Sequence, residues 1–118
     1  MMDDPLRLCV QGGKLFARVE AGKAYSTGGV PVGPDRWYHV AAVKAGERLT
    51  LYVDGKPAGS MQVPADVHSA ARDFALGANP HYTGQSEHLA CRLRGLTFLV
   101  RALGPEEVAG LFQKQRPQ

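Results

Sequence analysis

Residues 37–56, WYHVAAVKAGERLTLYVDGK, decide the fold class of this chain. A period of two, as in β-strands, divides these residues between two faces. It sets Trp37, His39, Ala41 and Val43 against Tyr38, Val40 and Ala42, and Leu49, Leu51 and Val53 against Thr50 and Tyr52. Asp54-Gly55 follows the second run, and this dipeptide supplies the positive φ angles that a two-residue type I′ turn needs. The segment therefore predicts parts of three β-strands separated by two turns, as in an antiparallel all-β protein.

The length and charge of the chain limit its function class. We predict one domain over residues 1–118, with an ordered core over residues 6–112. A chain of this size buries about two thirds of its unfolded surface, which supports one core but no separate catalytic domain. The net charge of +3 comes from scattered residues, and such a weak bias predicts no nucleic-acid partner.

The sequence predicts neither a membrane span nor an export signal. No apolar run approaches the roughly 18 residues that cross a bilayer. The opening MMDDPLRLCV is acidic, whereas a secretory signal begins with basic residues. We therefore expect no membrane contact, and the residues alone leave the localisation unknown.

A first hairpin is predicted around Gly12-Gly13, which forms a two-residue turn and places Gln11 opposite Lys14. The register that follows gives one apolar face and one mixed face. The predicted pairs are Val10 with Leu15, Leu8 with Ala17 and Leu6 with Val19 on the apolar face, and Cys9 with Phe16 and Arg7 with Arg18 on the other. Two opposed arginines repel, so we expect that pair at a solvated margin or beside an acidic residue such as Glu20.

The remaining predicted elements are shorter or less regular. Pro57 and Gly59 weaken the strand after Asp54-Gly55, which we interpret as an edge strand. Pro105, followed by acidic residues and then by apolar residues at helical spacing, predicts a helix of roughly eight residues that docks through Leu111 and Phe112. The other predictions are a loop over 21–35 with a short strand at 23–27, a loop over 64–73, a strand at 74–78, a loop over 79–88, and a last strand at 89–100 with a bulge at Gly95.

Four sequence motifs carry a family resemblance. They are WYHVAAV, LTLYVDGK, FALGANP and LRGLTFLVRALGPEEV, in that order. From about Leu6 to Phe112 the chain resembles the second part of a laminin-G-like jelly roll of the concanavalin A-like lectin and glucanase superfamily. The resemblance implies a two-sheet antiparallel β-sandwich of the kind found in secreted or cell-surface proteins as a sugar-binding or adhesive module.

Two departures from the family pattern affect the expected partners. Family members usually have a block of strands before the region that matches Leu6, whereas only MMDDP precedes it here. A jelly roll without these front strands exposes sheet edges, so we hypothesise that the chain forms a homo-oligomer or is completed by the remainder of a longer chain. A smaller, self-contained sandwich is the alternative. In the last strand, Cys91 and Arg94-Gly95 stand where members often have a glycine and an Asp-Glu pair.

Neither catalysis nor metal binding is predicted. Glycoside hydrolysis uses two carboxyl groups about 5 Å apart or about 6.5–9.5 Å apart, and no Glu-x-Asp-x-Glu segment supplies them from one strand. Adjacent Glu106 and Glu107 suit a helix start instead. The loop with His81, Glu87 and His88 mixes donor types without the spacing of a zinc or calcium site. We therefore expect no catalytic residue, no metal and no cofactor, and a glycoside hydrolase-like enzyme is the remote alternative.

Non-catalytic recognition or adhesion is the favoured function class, with carbohydrate as the expected ligand. A sugar site needs an aromatic face and polar groups, which the loop residues Asn79, His81 and Tyr82 supply. Arg92 and Arg94 suit an anionic glycan or a sulfate. A module that binds another protein, or a second copy of itself, is the alternative.

Trp37, His39 and the two cysteines are expected to be structural. Trp37 begins a predicted strand and is expected to pack in the core. His39 is flanked by apolar residues and is expected to be hydrogen-bonded within the sandwich. Cys9 and Cys91 are either buried thiols or the ends of a long-range disulfide.

Overall fold

The computed structural model describes residues 6–34, 36–65 and 102–115. Within these residues the chain forms seven β-strands and one α-helix. The strands are β1 (Arg7–Gln11), β2 (Lys14–Glu20), β3 (Ala24–Ser26), β4 (Val30–Pro31), β5 (Val40–Ala45), β6 (Arg48–Val53) and β7 (Lys56–Gln62), and the helix is α1 (Pro105–Gln115).

The strands build two antiparallel sheets. In the first sheet β2 pairs with β1, β3 and β4, and in the second sheet β6 pairs with β5 and β7. The buried cluster contains Leu15, Ala17 and Val19 of β2, Leu49 and Leu51 of β6, and Val63. Because its members come from both sheets, the core lies between them. The predicted all-β antiparallel sandwich with a short C-terminal helix is confirmed.

The first hairpin has the predicted register. Its turn residues Gly12 and Gly13 adopt φ angles of 58° and 73°. The pairs run from Gln11 with Lys14 at the turn to Arg7 with Arg18 at the far end. A turn of two residues therefore fixed which side chains share a face.

The opposed arginines meet an acidic partner, as predicted. Glu20 is only 7% exposed, and its Oε1 atom accepts from Arg7 Nη2 and lies 3.2 Å from Arg18 Nε. One carboxylate therefore neutralises part of the repulsion between two guanidinium groups across the hairpin. In return, the two arginines supply the pairing that a buried carboxylate requires.

The apolar face of this hairpin is only half covered. Leu15 and Ala17 of β2 are buried, whereas Val10 and Leu8, their partners on β1, are 40% and 43% exposed. The core-facing side of the first sheet thus continues into a partly exposed apolar margin.

The second sheet begins later than predicted, because β5 starts at Val40 and not at Trp37. Val40 pairs with Val53, which is the last residue of β6 before the chain turns at Asp54-Gly55. Residues 37–39 therefore run past the end of β6. The turn itself is confirmed as left-handed, with φ angles of 51° at Asp54 and 79° at Gly55.

The edge character predicted for β7 is confirmed within the described strands, since β7 ends the order β5-β6-β7. Leu51 pairs with Gly59 but the next residue, Tyr52, pairs with Pro57, which leaves Ala58 as an extra residue. This bulge lies beside the proline that cannot donate to the ladder. Bulges and prolines at such positions make an edge a poor template for further strands.

The predicted short strand at 23–27 is confirmed as β3, while β4 was not predicted. Thr27 continues the pairing beyond β3 through both its backbone and its side chain. Its N–H donates to the Ala17 carbonyl oxygen over 2.9 Å, and its Oγ1 accepts from the Ala17 N–H over 3.0 Å. The side-chain oxygen of buried Thr27 thus accepts a hydrogen bond of the kind that a backbone carbonyl of β3 would accept if the strand continued.

The C-terminal helix has 11 residues, longer than the roughly eight predicted, but starts as predicted at Pro105. Glu107 accepts from the Gly104 N–H over 3.1 Å, which satisfies a donor at the helix start. Val108 is fully buried, and Leu111 and Phe112 are half-buried, so the predicted docking is confirmed. Within the described residues, no helix has the length and apolarity that a membrane span requires.

Several predicted elements lie outside the described residues. These are the strand at 74–78, the loop at 79–88, the last strand at 89–100 with its bulge at Gly95, and most of the loop at 64–73. Cys91 also lies there, so the two alternatives for the cysteines stay open. Cys9 is half-buried on the face that it shares with Phe16.

Candidate functional site

The ligand-binding residues predicted from the sequence lie outside the described part of the chain. They are Asn79, His81, Tyr82, Arg92 and Arg94. Their predicted role in binding a glycan or an anion stays a prediction. The site described below is formed by other residues.

Trp37 lies on the surface, and the prediction that it packs in the core is wrong. It is 47% exposed, and it is the sole tryptophan of the chain. The cause is the end of β6 at Val53, because no β6 residue lies opposite residues 37–39 to complete a ladder around them. An indole this exposed can offer its aromatic face to a ligand.

Arg36 and Tyr38 flank the indole in sequence and stack on one another. The guanidinium carbon of Arg36 is 4.4 Å from the centroid of the Tyr38 ring. Arg36 Nη2 also donates to Asp54 Oδ2 over 2.5 Å, although the arginine side chain remains 58% exposed. Two contacts therefore fix a guanidinium group that still faces solvent.

The segment that carries these residues, called here the Trp37 loop (residues 32–34 and 36–39), is fixed at both ends. At its start, Val32 N–H donates to the Gly13 carbonyl oxygen over 2.9 Å. Gly33 N–H donates to Tyr38 Oη over 2.9 Å, which closes the loop on itself. At its end, His39 N–H donates to Asp54 Oδ1 over 3.0 Å. These bonds fix the backbone on both sides of Trp37.

His39 joins the end of the loop to helix α1. Its Nε2 lies 2.9 Å from Gln115 Oε1, and its ring centroid is 5.7 Å from that of Phe112 at an interplanar angle of 55°. The prediction that His39 is hydrogen-bonded within the fold is confirmed. The bond to Gln115 crosses 76 positions of sequence, so the helix and the loop form one unit.

An open depression of about 250 Å³ lies at the β5–β6 turn end of the second sheet. It is lined by Ala45, Glu47, Arg48 and Gln62, and Arg48 Nη1 donates to Ser60 Oγ over 2.9 Å. The lining has no aromatic side chain to stack on a ligand. Among the described residues, no group of three or more His, Cys, Asp or Glu side chains is placed to hold a metal ion.

The family of this chain follows from its sequence. A laminin-G family model, described as "Concanavalin A-like lectin/glucanases superfamily", matches residues 5–109. The chain belongs to this superfamily. The resemblance drawn from the four sequence motifs is therefore confirmed, and so is the laminin-G-like type of the sandwich.

A solved structure shares the fold of this laminin-G-like domain. The crystal structure of an S-layer domain-containing protein from Clostridium thermocellum is similar to it, with a TM-score of 0.59 and 20% sequence identity over 95% of this chain. The domain spans 58% of that protein's chain. At this identity the likeness shows the fold alone. No curated protein matches the chain.

A signal for the surface position of Trp37 was present in the sequence of the laminin-G-like domain. The two-residue turn between Ala45 and Arg48 sets Val40 opposite Val53, so the same register would place Trp37 opposite a residue beyond the Asp54-Gly55 turn. The proline and glycine residues just before Arg36 also indicate a loop. Loop residues on a rigid sheet are the usual carriers of binding function.

Proposed function

We propose that this laminin-G-like domain is a non-catalytic recognition module that binds carbohydrate, with Trp37 as the stacking residue. The observation that carries the proposal is the position of the indole, which is 47% exposed on a loop whose two ends are fixed by hydrogen bonds. A loop held at both ends loses little backbone freedom when a ligand covers it, so more of the contact energy is available for binding.

The chemistry around the indole suits a sugar. A pyranose ring has an apolar face of C–H groups that stacks on an aromatic ring, and a rim of hydroxyl groups that needs hydrogen-bond partners. Arg36, which precedes Trp37 in sequence, supplies N–H donors, and Asp54 adds carboxylate oxygens as acceptors. The mutual ion pair of Arg36 and Asp54 keeps both groups in place before a ligand arrives.

The comparisons support the same class of function at a coarser level. The superfamily to which the chain belongs is described as one of lectins and glucanases. The similar crystal structure is that of an S-layer domain-containing protein. We therefore propose that the domain works at a cell surface. Asn79, His81, Tyr82, Arg92 and Arg94 remain proposed contacts for the same ligand, to be tested by alanine variants in the same assay.

A glycan array followed by titration tests this proposal. A glycan that binds should change the fluorescence of Trp37, which reports the site directly because the chain has no other tryptophan. In calorimetry, Trp37→Ala should weaken binding about tenfold or more, as expected for a central aromatic contact. Trp37→Phe should lose less, because it keeps an aromatic face.

Three results would contradict the proposal in different ways. No binding across the array would remove carbohydrate as the ligand class. A glycan that binds Trp37→Ala as tightly as the unchanged protein would place the site elsewhere. Turnover in a panel of chromogenic glycosides would overturn the non-catalytic assignment.

Self-association is the second candidate function, and a separate observation favours it. Leu8 and Val10 lie on the core-facing side of β1 but are 43% and 40% exposed. A second copy of the chain offers the same apolar margin, and a two-fold contact would cover both. Light scattering over a hundredfold dilution should show a dimer, and Leu8→Ser with Val10→Ser should make it dissociate. A monomer at every concentration would exclude this candidate.

A further inference from the structure

Helix α1 contacts both His39, at the end of the Trp37 loop, and Gly55, in the turn after β6. Gln115, at the end of the helix, is hydrogen-bonded to His39 at the end of the Trp37 loop. Phe112, one turn earlier, lies against both His39 and Gly55. A Cβ atom built on Gly55 would be 3.0 Å from Phe112 Cδ2, so the phenyl ring lies directly against the turn backbone.

Asp54 joins these two contact points to Arg36. It lies between Gly55, which Phe112 covers, and Val53, the last residue of β6. Its carboxylate accepts from the His39 N–H and from Arg36 Nη2. A shift of the helix would therefore move His39 and the Asp54-Gly55 turn together, and both would carry Arg36 with them.

We infer that helix α1 positions the Trp37 loop, with Phe112 and Gln115 as positioning residues for the ligand surface. The functional meaning of this inference depends on the proposed carbohydrate site, but the coupling itself does not. The two ends of the helix have separate tasks. Val108, fully buried near the start, anchors the helix on the sandwich, whereas Phe112 and Gln115 align the loop.

This division of tasks allows the alignment to be disturbed while the helix remains docked. Gln115→Met keeps the side-chain length but removes the oxygen that pairs with His39 Nε2. Gln115→Glu keeps that oxygen. Lys114→Gln is the matched control, because Lys114 is an exposed residue of the same turn. Phe112→Leu removes the ring that lies beside His39 and still fills the space against Gly55.

Acrylamide quenching of Trp37 fluorescence measures the coupling without any ligand. We expect Gln115→Met and Phe112→Leu to raise the quenching constant, because a looser loop exposes the indole more often. Gln115→Glu and Lys114→Gln should match the unchanged protein. With a bound glycan, Gln115→Met should weaken affinity by up to about fivefold, the equivalent of one ordinary hydrogen bond.

The inference is overturned if Gln115→Met and Phe112→Leu remain folded by circular dichroism and quench like the unchanged protein. It is also overturned if Lys114→Gln raises the quenching constant as much as Gln115→Met. Because quenching needs no ligand, a failure of the glycan array leaves this result readable. A glycan that binds through Trp37 but ignores the Gln115 variants would uphold the proposed function and reject the coupling.

Discussion

Asp54 and His39 are joined by a reciprocal pair of hydrogen bonds. The Asp54 N–H donates to the His39 carbonyl oxygen over 2.8 Å, and the His39 N–H donates to Asp54 Oδ1 over 3.0 Å. They occupy the next position in the β5–β6 register after Val40 and Val53, where Asp54 has already entered its turn. The Asp54 Oδ1 atom therefore takes the place of a backbone acceptor in the β-ladder. The other carboxylate oxygen, Oδ2, accepts from Arg36.

Replacing Asp54 should separate its two roles. Asp54→Asn keeps a side-chain oxygen for His39 and tolerates the φ angle of 51°, so we expect a loss of about 1 kcal/mol from the weaker Arg36 contact. Asp54→Ala loses both acceptors and adds backbone strain, for a total of about 3 kcal/mol. Urea denaturation measures both variants. Equal losses would show that the charged contact with Arg36 accounts for the whole effect, and that neither the left-handed turn nor the bond to His39 contributes.

Much of this fold was predictable because short turns fix register. Gly12-Gly13 sets every pair of the first hairpin, and the same register brings Arg7 opposite Arg18 and so calls for an acidic partner. Glu20 provides it. In these segments local turn chemistry and the period-two pattern agree, and nothing distant in sequence is needed to decide the outcome.

The candidate site was harder to predict, because it depends on where a strand ends. The period-two pattern runs through residues 37–43 without a break, so it does not show that pairing stops at Val40. The hydrogen bond between His39 and Gln115 joins residues that are 76 positions apart, and neither residue type predicts such a contact. The β4 strand was missed for a similar reason, since two residues beside Lys14 and Leu15 carry no periodicity of their own.

Glu20 should contribute more to the free energy of unfolding than an ordinary surface carboxylate does. Glu20→Gln removes the carboxylate that Arg7 and Arg18 share, and we expect a loss of about 2 kcal/mol, below the range for fully buried pairs because both arginines are partly exposed. Adding 1 M NaCl should recover part of this loss, because salt screens the repulsion.

The exposed Glu47 is the control for that experiment. Glu47→Gln removes the same charge from a turn on the surface, and its effect should stay within about 0.5 kcal/mol. Urea denaturation of both variants at low and high salt gives the comparison. If Glu20→Gln is as mild as Glu47→Gln, the carboxylate does not organise the two arginines.

Gly55 should tolerate a methyl group less well than Gly46. Both adopt positive φ angles, 79° and 57°, so Ala at either position costs about 1 kcal/mol in backbone strain. A Cβ atom at Gly46 meets nothing within 4 Å, whereas one at Gly55 meets Phe112 at 3.0 Å. We therefore expect Gly55→Ala to cost about 2–3 kcal/mol in total, since it also displaces the helix.

A double variant tests the cause of that difference. Phe112→Ala removes Cγ and Cδ2, two of the three atoms that the new methyl group would meet, so the combined loss in Gly55→Ala/Phe112→Ala should be smaller than the sum of the two single losses. Thermal or urea unfolding provides the three values. Strict additivity would mean that the strain at Gly55 is confined to its own backbone.

Trp37 should contribute little to stability, in contrast to a tryptophan that fills a core. A buried aromatic residue replaced by alanine costs about 3–5 kcal/mol, but Trp37 is 47% exposed and should cost less than about 1.5 kcal/mol. Tyr52→Ala is the matched comparison, because Tyr52 is 5% exposed on β6 and should lose about 3 kcal/mol. Circular dichroism must follow the unfolding, since Trp37→Ala removes the fluorophore. A loss at Trp37 equal to that at Tyr52 would mean that the indole supports the fold and is not kept exposed for stacking on a ligand.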